Sequence, residues 1–122
     1  MQFARWVFWL GGLYGLLILV PQFFLEDQVG RDFPPPVTHP EFYYGFVGIA
    51  VAWQVAFLLI ARDPVRYRPL MIPGMLEKAA FGVAAFVLFA QQRVPATLLI
   101  FASLDLIWLA LFAVAYRKTP VR

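Results

Sequence analysis

The chain has 122 residues, 62% of them hydrophobic and only 14% charged, with a net charge of +3 and no cysteine. A soluble domain carries about a quarter charged residues, so this sequence has too little charge to cover a globule in water, and its outer surface is expected to face lipid in one domain. The lack of cysteine excludes disulfides, thiolate–zinc sites and iron–sulfur ligation; one histidine, His39, cannot build a metal or haem site alone.

The first apolar segment covers about residues 3–25, close to the roughly 20 apolar residues that a spanning helix needs. A signal peptide is the competing reading, but Leu17-Ile18-Leu19-Val20-Pro21 offers no small-residue cleavage site. Trp6, Phe8 and Trp9 near its start, and Phe23 and Phe24 at its end, fit interfacial aromatic belts. Gly11 and Gly15 form a GxxxG pair that lets another helix approach closely.

Residues Glu26 to Pro40 form an acidic loop, with Pro34-Pro35-Pro36 expected as polyproline II. Thr38 and Glu41 have capping-box spacing ahead of a second helix at about residues 41–61. Gly45, Gly48, Ala52 and Ala56 make a small-residue stripe on it, and Gln54 lies opposite. Asp63-Pro64 stops that helix. A basic, proline-rich turn follows, with Arg62, Arg66, Arg68 and Lys78, and Pro73-Gly74 is expected to open a third helix at about residues 74–92, with Glu77 in its first turn. Gln91-Gln92-Arg93 is a tight turn before a fourth helix, about residues 94–116, that carries Asp105 and Trp108 and ends in the basic tail Arg117, Lys118, Arg122.

These segments describe an all-α membrane protein, a four transmembrane helix bundle. The positive-inside rule counts Lys and Arg near span ends. Arg5, Arg62, Arg66, Arg68, Lys78, Arg117, Lys118 and Arg122 fall on one side and Arg31 and Arg93 on the other. Both termini are therefore expected to be cytoplasmic, in a bacterial inner membrane. Basic residues at loops and tails are accounted for by this topology, with membrane lipid as partner and no nucleic acid.

At 1.5 Å per residue, Gln54 lies about 10 Å from the cytoplasmic ends, Trp53 and Trp108 about 12 Å, Tyr14 about 13 Å, Asp105 about 16 Å and Glu77 about 5 Å. Asp105 is the sharpest chemical signal, since a mid-membrane carboxylate costs about 2.5–3.5 kcal/mol on insertion scales. It reads either as a proton- or cation-binding acid, or as a helix-joining group bonded to Gln54, Tyr14 or Trp53. Glu77 reads as a helix-start residue or a partner of Arg62, Arg66 or Arg68, and otherwise as the mouth of a pocket. Asp105, Gln54, Trp53, Trp108, Tyr14 and Glu77 form the candidate ligand-binding set. Arg62, Arg66 and Arg68 are candidates for anionic lipid headgroups. No metal site and no cofactor is expected.

The length, the helix count and the segments HPEFYYGFVGIAVAWQ and RDPVRYRPLMIPGMLEK resemble the small four-helix bacterial inner-membrane proteins, of which the DoxX-like proteins are an example. The resemblance is architectural and implies a four-helix bundle without assigning residues. Small multidrug exporters share the size, but their helix 1 glutamate has no counterpart here. The composition favours a non-enzymatic oligomeric or accessory membrane subunit. An apolar-ligand-binding or lipid-modifying bundle using Asp105, and a small proton-coupled carrier, are the alternatives.

Overall fold

The computed structural model describes residues Gln2 to Val121 and is all-helical over them. Helix α1 (Gln2–Leu19) runs into a 3-10 turn (Val20–Phe24), because Pro21 cannot donate to the α-helical ladder. A short helix α2 (Glu26–Asp32) follows, then α3 (Pro40–Arg62), a second 3-10 turn (Arg68–Leu70), α4 (Met71–Ala90) and α5 (Leu98–Lys118). Four helical stretches, Gln2–Phe24, Pro40–Arg62, Arg68–Ala90 and Leu98–Lys118, are long and apolar enough to cross a membrane. They alternate in direction, so Arg5, Arg62, Arg66, Arg68, Arg117 and Lys118 share one end of the bundle, called here the basic end.

Several boundaries differ from those expected. Glu26–Asp32 is helical where an open loop was expected, and Gly30 is buried beneath Pro36, whose Cα would lie 3.1 Å from an added Cβ. Thr38 does not cap α3. His39 holds the N-cap position with no side-chain hydrogen bond, and Pro40 occupies the first turn, where its missing N–H has no partner to lose. α3 stops where Asp63 turns extended ahead of Pro64, which disfavours helical backbone in the residue before it.

The helical stretch carrying Glu77 opens at Arg68 rather than at Gly74. Pro69 and Pro73 both stand in first turns, where proline is tolerated, so neither breaks it. α5 begins at Leu98, after a lead-in in which the Leu98 and Leu99 N–H groups donate to the Pro95 and Ala96 carbonyls at 3.2 and 2.9 Å.

α4 ends in a Schellman arrangement. The Arg93 N–H donates to the Leu88 carbonyl and the Gln92 N–H to the Phe89 carbonyl, both at 2.9 Å. Gln92 takes the left-handed conformation this requires, with φ 60°, in a place usually held by glycine.

α1 packs chiefly on α3 and α4 chiefly on α5, with α1 also meeting α5. The main core cluster fills the half of the bundle nearest the basic end. Phe8, Phe57 and Phe112 are fully buried together, with Phe8 stacked on Phe112 at 4.2 Å and Phe57 edge-on to Phe112 at 4.9 Å, and Ile60 and Met71 close around them. Helices in lipid gain little from leaving an equally apolar solvent, so interlocking of this kind must hold the four together.

Gly11 and Gly15 pack inside the chain. Gly11 faces Phe112 and Trp108, and a Cβ at Gly15 would fall on the Gln54 side chain. The α3 stripe is different. An added Cβ at Gly45 or Gly48 meets nothing within 4 Å, and Ala52 is exposed.

Candidate functional site

The polar groups of the bundle converge on one residue that the sequence had placed with the basic turn. Lys78 is 2% exposed. It shares the buried face of α4 with Met71, Gly74, Gly82 and Ala85, a spacing of three and four residues that keeps one side of a helix turned inward. Its Nζ lies 3.7 Å from Asp105 Oδ1 on α5 and 3.8 Å from Glu77 Oε2 on its own helix. The Phe57 ring of α3 has its centroid 5.4 Å from the same ammonium.

Gln54 extends the cluster to α3. It is fully buried, and its Nε2 donates to the Ala50 carbonyl at 2.8 Å and to Glu77 Oε1 at 3.4 Å. Its Oε1 turns toward Gly15 of α1. Gln54 Oε1 and Glu77 Oε2 are both buried without a hydrogen-bond partner among the described residues. Every long helix thus takes part: α4 and α5 supply the charges, α3 the amide, and α1 the glycine that makes room for it.

This arrangement corrects the expected partners. Glu77 does not pair with Arg62, Arg66 or Arg68. Because the helical stretch starts at Arg68, Glu77 lies about 13 Å along it and Lys78 about 15 Å, at a rise of 1.5 Å per residue. Asp105 is held by Lys78 rather than by Gln54, Tyr14 or Trp53. Tyr14 is half-buried, with its ring 5.8 Å from that of Trp108, one turn beyond Asp105. Trp108 and Trp53 are both half-buried and pack on the aromatic core, each 6.2 Å from a core phenylalanine ring.

The trio Glu77, Lys78 and Asp105 carries two carboxylates against one ammonium. An unbalanced charge midway along a span is costly, and a buried ion pair repays its desolvation only with further partners. The cluster becomes neutral when it takes up one positive charge. The two carboxylate side chains are each 19% exposed, whereas that of Lys78 is 3% exposed. Along the helices, the aromatic core lies between the cluster and the basic end. No group of three or more His, Cys, Asp and Glu able to hold a metal ion occurs among the described residues.

The three candidate headgroup arginines part company. Arg68 turns inward. Its Nε donates to the Tyr116 and Thr119 carbonyls at 3.2 and 2.8 Å, and its guanidinium lies 3.7 Å from the centroid of the Tyr116 ring. Arg66 is exposed, 5.5 Å from the Tyr67 ring. Arg62 is exposed and lines a cavity of about 270 Å³ with Gln2, Arg5, Trp6, Trp9 and Ala61. A second cavity, of about 440 Å³, lies at the opposite end among Phe23, Phe24, Leu25, Glu26, Asp27, Gln28, Arg31 and Tyr44.

Comparison of the chain with protein-family profiles, with curated proteins and with solved structures finds no match. A functional reading therefore rests on the chain's own geometry.

Proposed function

We propose that the chain is a multi-pass protein of the bacterial inner membrane, with both termini cytoplasmic, that binds and releases one proton at the Glu77–Lys78–Asp105 cluster as a small proton-coupled carrier does. The observation that supports this most is the charge count at a buried site: two carboxylates share one lysine within 4 Å. One proton on either carboxylate makes the trio neutral, and its release restores the imbalance, so each step changes the attraction between α4 and α5. The orientation keeps its basis without Lys78. With that residue inside the bundle, Arg5, Arg62, Arg66, Arg68, Arg117 and Lys118 still gather at one end, against Arg31 and Arg93, and Arg122 lies outside the described residues.

The test is infrared difference spectroscopy of the protein in lipid as pH is changed. The expected result is a carboxyl C=O band that shifts or disappears in Glu77→Gln or Asp105→Asn and persists in Glu26→Gln. If none of the pH-dependent carboxyl signal comes from Glu77 or Asp105, the proposal fails.

A second reading, a non-enzymatic oligomeric or accessory subunit, is favoured by the outward face of α3, where Gly45 and Gly48 leave room for a neighbouring backbone. The chain has no cysteine, so a single Gly45→Cys substitution reports contacts cleanly. Disulfide-linked dimers in native membranes, lost on adding Gly48→Leu, support this reading. Monomer throughout removes its homo-oligomeric form.

A further inference from the structure

Arg5 and Arg62 come from opposite ends of the sequence of the first two spans, yet the antiparallel pairing of α1 and α3 brings them to one cavity at the basic end. Both are exposed, and neither has an ion-pair partner among the described residues. Trp6 and Trp9 form the cavity's apolar wall, edge to face with centroids 5.9 Å apart, and are 58% and 45% exposed. Gln2 adds an amide.

The combination is chemically specific. Two guanidinium groups offer several N–H donors to the oxygens of a phosphate. Indole rings favour the boundary between headgroups and acyl chains. A free phosphate would use the arginines and gain nothing from the tryptophans, whereas a phospholipid uses both. The other basic residues of this end are arranged differently. Arg68 is taken up by the end of α5, and Lys118 lies 4.8 Å from the Phe3 ring.

We propose that the groove formed by Gln2, Arg5, Trp6, Trp9 and Arg62 is a binding site for the headgroup of one anionic phospholipid, with Arg5 and Arg62 on the phosphate and the two indoles along the upper acyl chain. This site is independent of the intramembrane cluster and stands whether or not that cluster binds protons.

Native mass spectrometry of the full chain, extracted with phosphatidylglycerol or phosphatidylcholine, tests it. Wild type is expected to retain phosphatidylglycerol in preference to phosphatidylcholine. The Arg5→Gln/Arg62→Gln double variant is expected to weaken that retention about 30-fold, two basic contacts acting together. Arg66→Gln/Arg117→Gln removes the same charge elsewhere at this end and is expected to leave retention within about twofold, since it alters only the screened surface field. Trp6→Ala/Trp9→Ala is expected to weaken phosphatidylglycerol as well. Equal losses in the two arginine double variants would reduce the site to a general surface charge and overturn the proposal. So would retention of glycerol 3-phosphate as strong as that of the lipid, which would make the groove a soluble-anion site. If the Gln double variant does not fold, Arg5→Lys/Arg62→Lys decides the matter: the charge is kept but the forked donors are lost, and retention must still fall below wild type.

Discussion

Lys78 Nζ lies 3.7 Å from Asp105 Oδ1, and this one contact ties α4 to α5 by opposite charges midway along both spans. Removing one side of such a pair leaves the other buried and uncompensated, which costs about 3–5 kcal/mol in buried pairs generally. Lys78→Met is therefore expected to destabilise the bundle by about 3 kcal/mol, the lower end of that range, because Asp105 keeps some exposure. The triple variant Lys78→Met/Glu77→Gln/Asp105→Asn removes every charge together and is expected to recover most of the loss. Unfolding in mixed micelles measures both. A triple variant no more stable than Lys78→Met alone would mean that the lysine acts by packing on Phe57 and not by charge.

Much of this site was legible in the sequence, and its centre was not. The four apolar runs and the stop at Asp63-Pro64 follow from hydropathy and proline chemistry, and Asp105 stood out as a lone acid in an apolar helix. Lys78 was grouped with the arginines because it follows three prolines and a run of basic residues. Of these, Pro69 and Pro73 occupy first turns, so the helical stretch starts at Arg68 and carries Lys78 inward. The buried positions 71, 74, 78, 82 and 85 hold methionine, two glycines, lysine and alanine, and that helical spacing was the signal that could have marked Lys78 as inward-facing. The inward turn of Arg68 had no such signal, since its partners are backbone carbonyls of a helix far along the chain.

The close approach of α1 and α3 depends on Gly15. A Cβ there would overlap the Gln54 side chain, which is itself fixed by its bonds to Ala50 and Glu77. Overpacking a tight interior usually costs about 1–3 kcal/mol. Gly15→Ala is expected to fall in that range, although an alanine at an open helix position stabilises. Gln54→Ala makes room for the new methyl, so Gly15→Ala/Gln54→Ala is expected to cost less than the sum of the two single changes by at least about 1 kcal/mol, as contacting residues do. Additive losses in the same unfolding assay would show that Gly15 and Gln54 do not share the space.

Arg68 closes the last turn of α5. Helix C-termini leave carbonyls without intrahelical partners and carry partial negative charge, so a guanidinium bonded to the Tyr116 and Thr119 carbonyls serves both needs. The stacked Tyr116 ring adds a cation–π contact at 3.7 Å. Arg68→Gln removes the charge, the stacking and the paired geometry, and is expected to loosen this end by about 2 kcal/mol, in line with charge-assisted bonds. Hydrogen–deuterium exchange is the informative measurement. Amides from Ala115 to Thr119 should exchange about 30-fold faster, while those of Leu99 to Asp105 stay unchanged, because the opening is local to that turn. Retention of phosphatidylglycerol should be unaffected, since Arg68 lies outside the Arg5–Arg62 groove. A variant with normal exchange at the end of α5 and weakened lipid retention would reverse the assignment and make Arg68 a headgroup ligand.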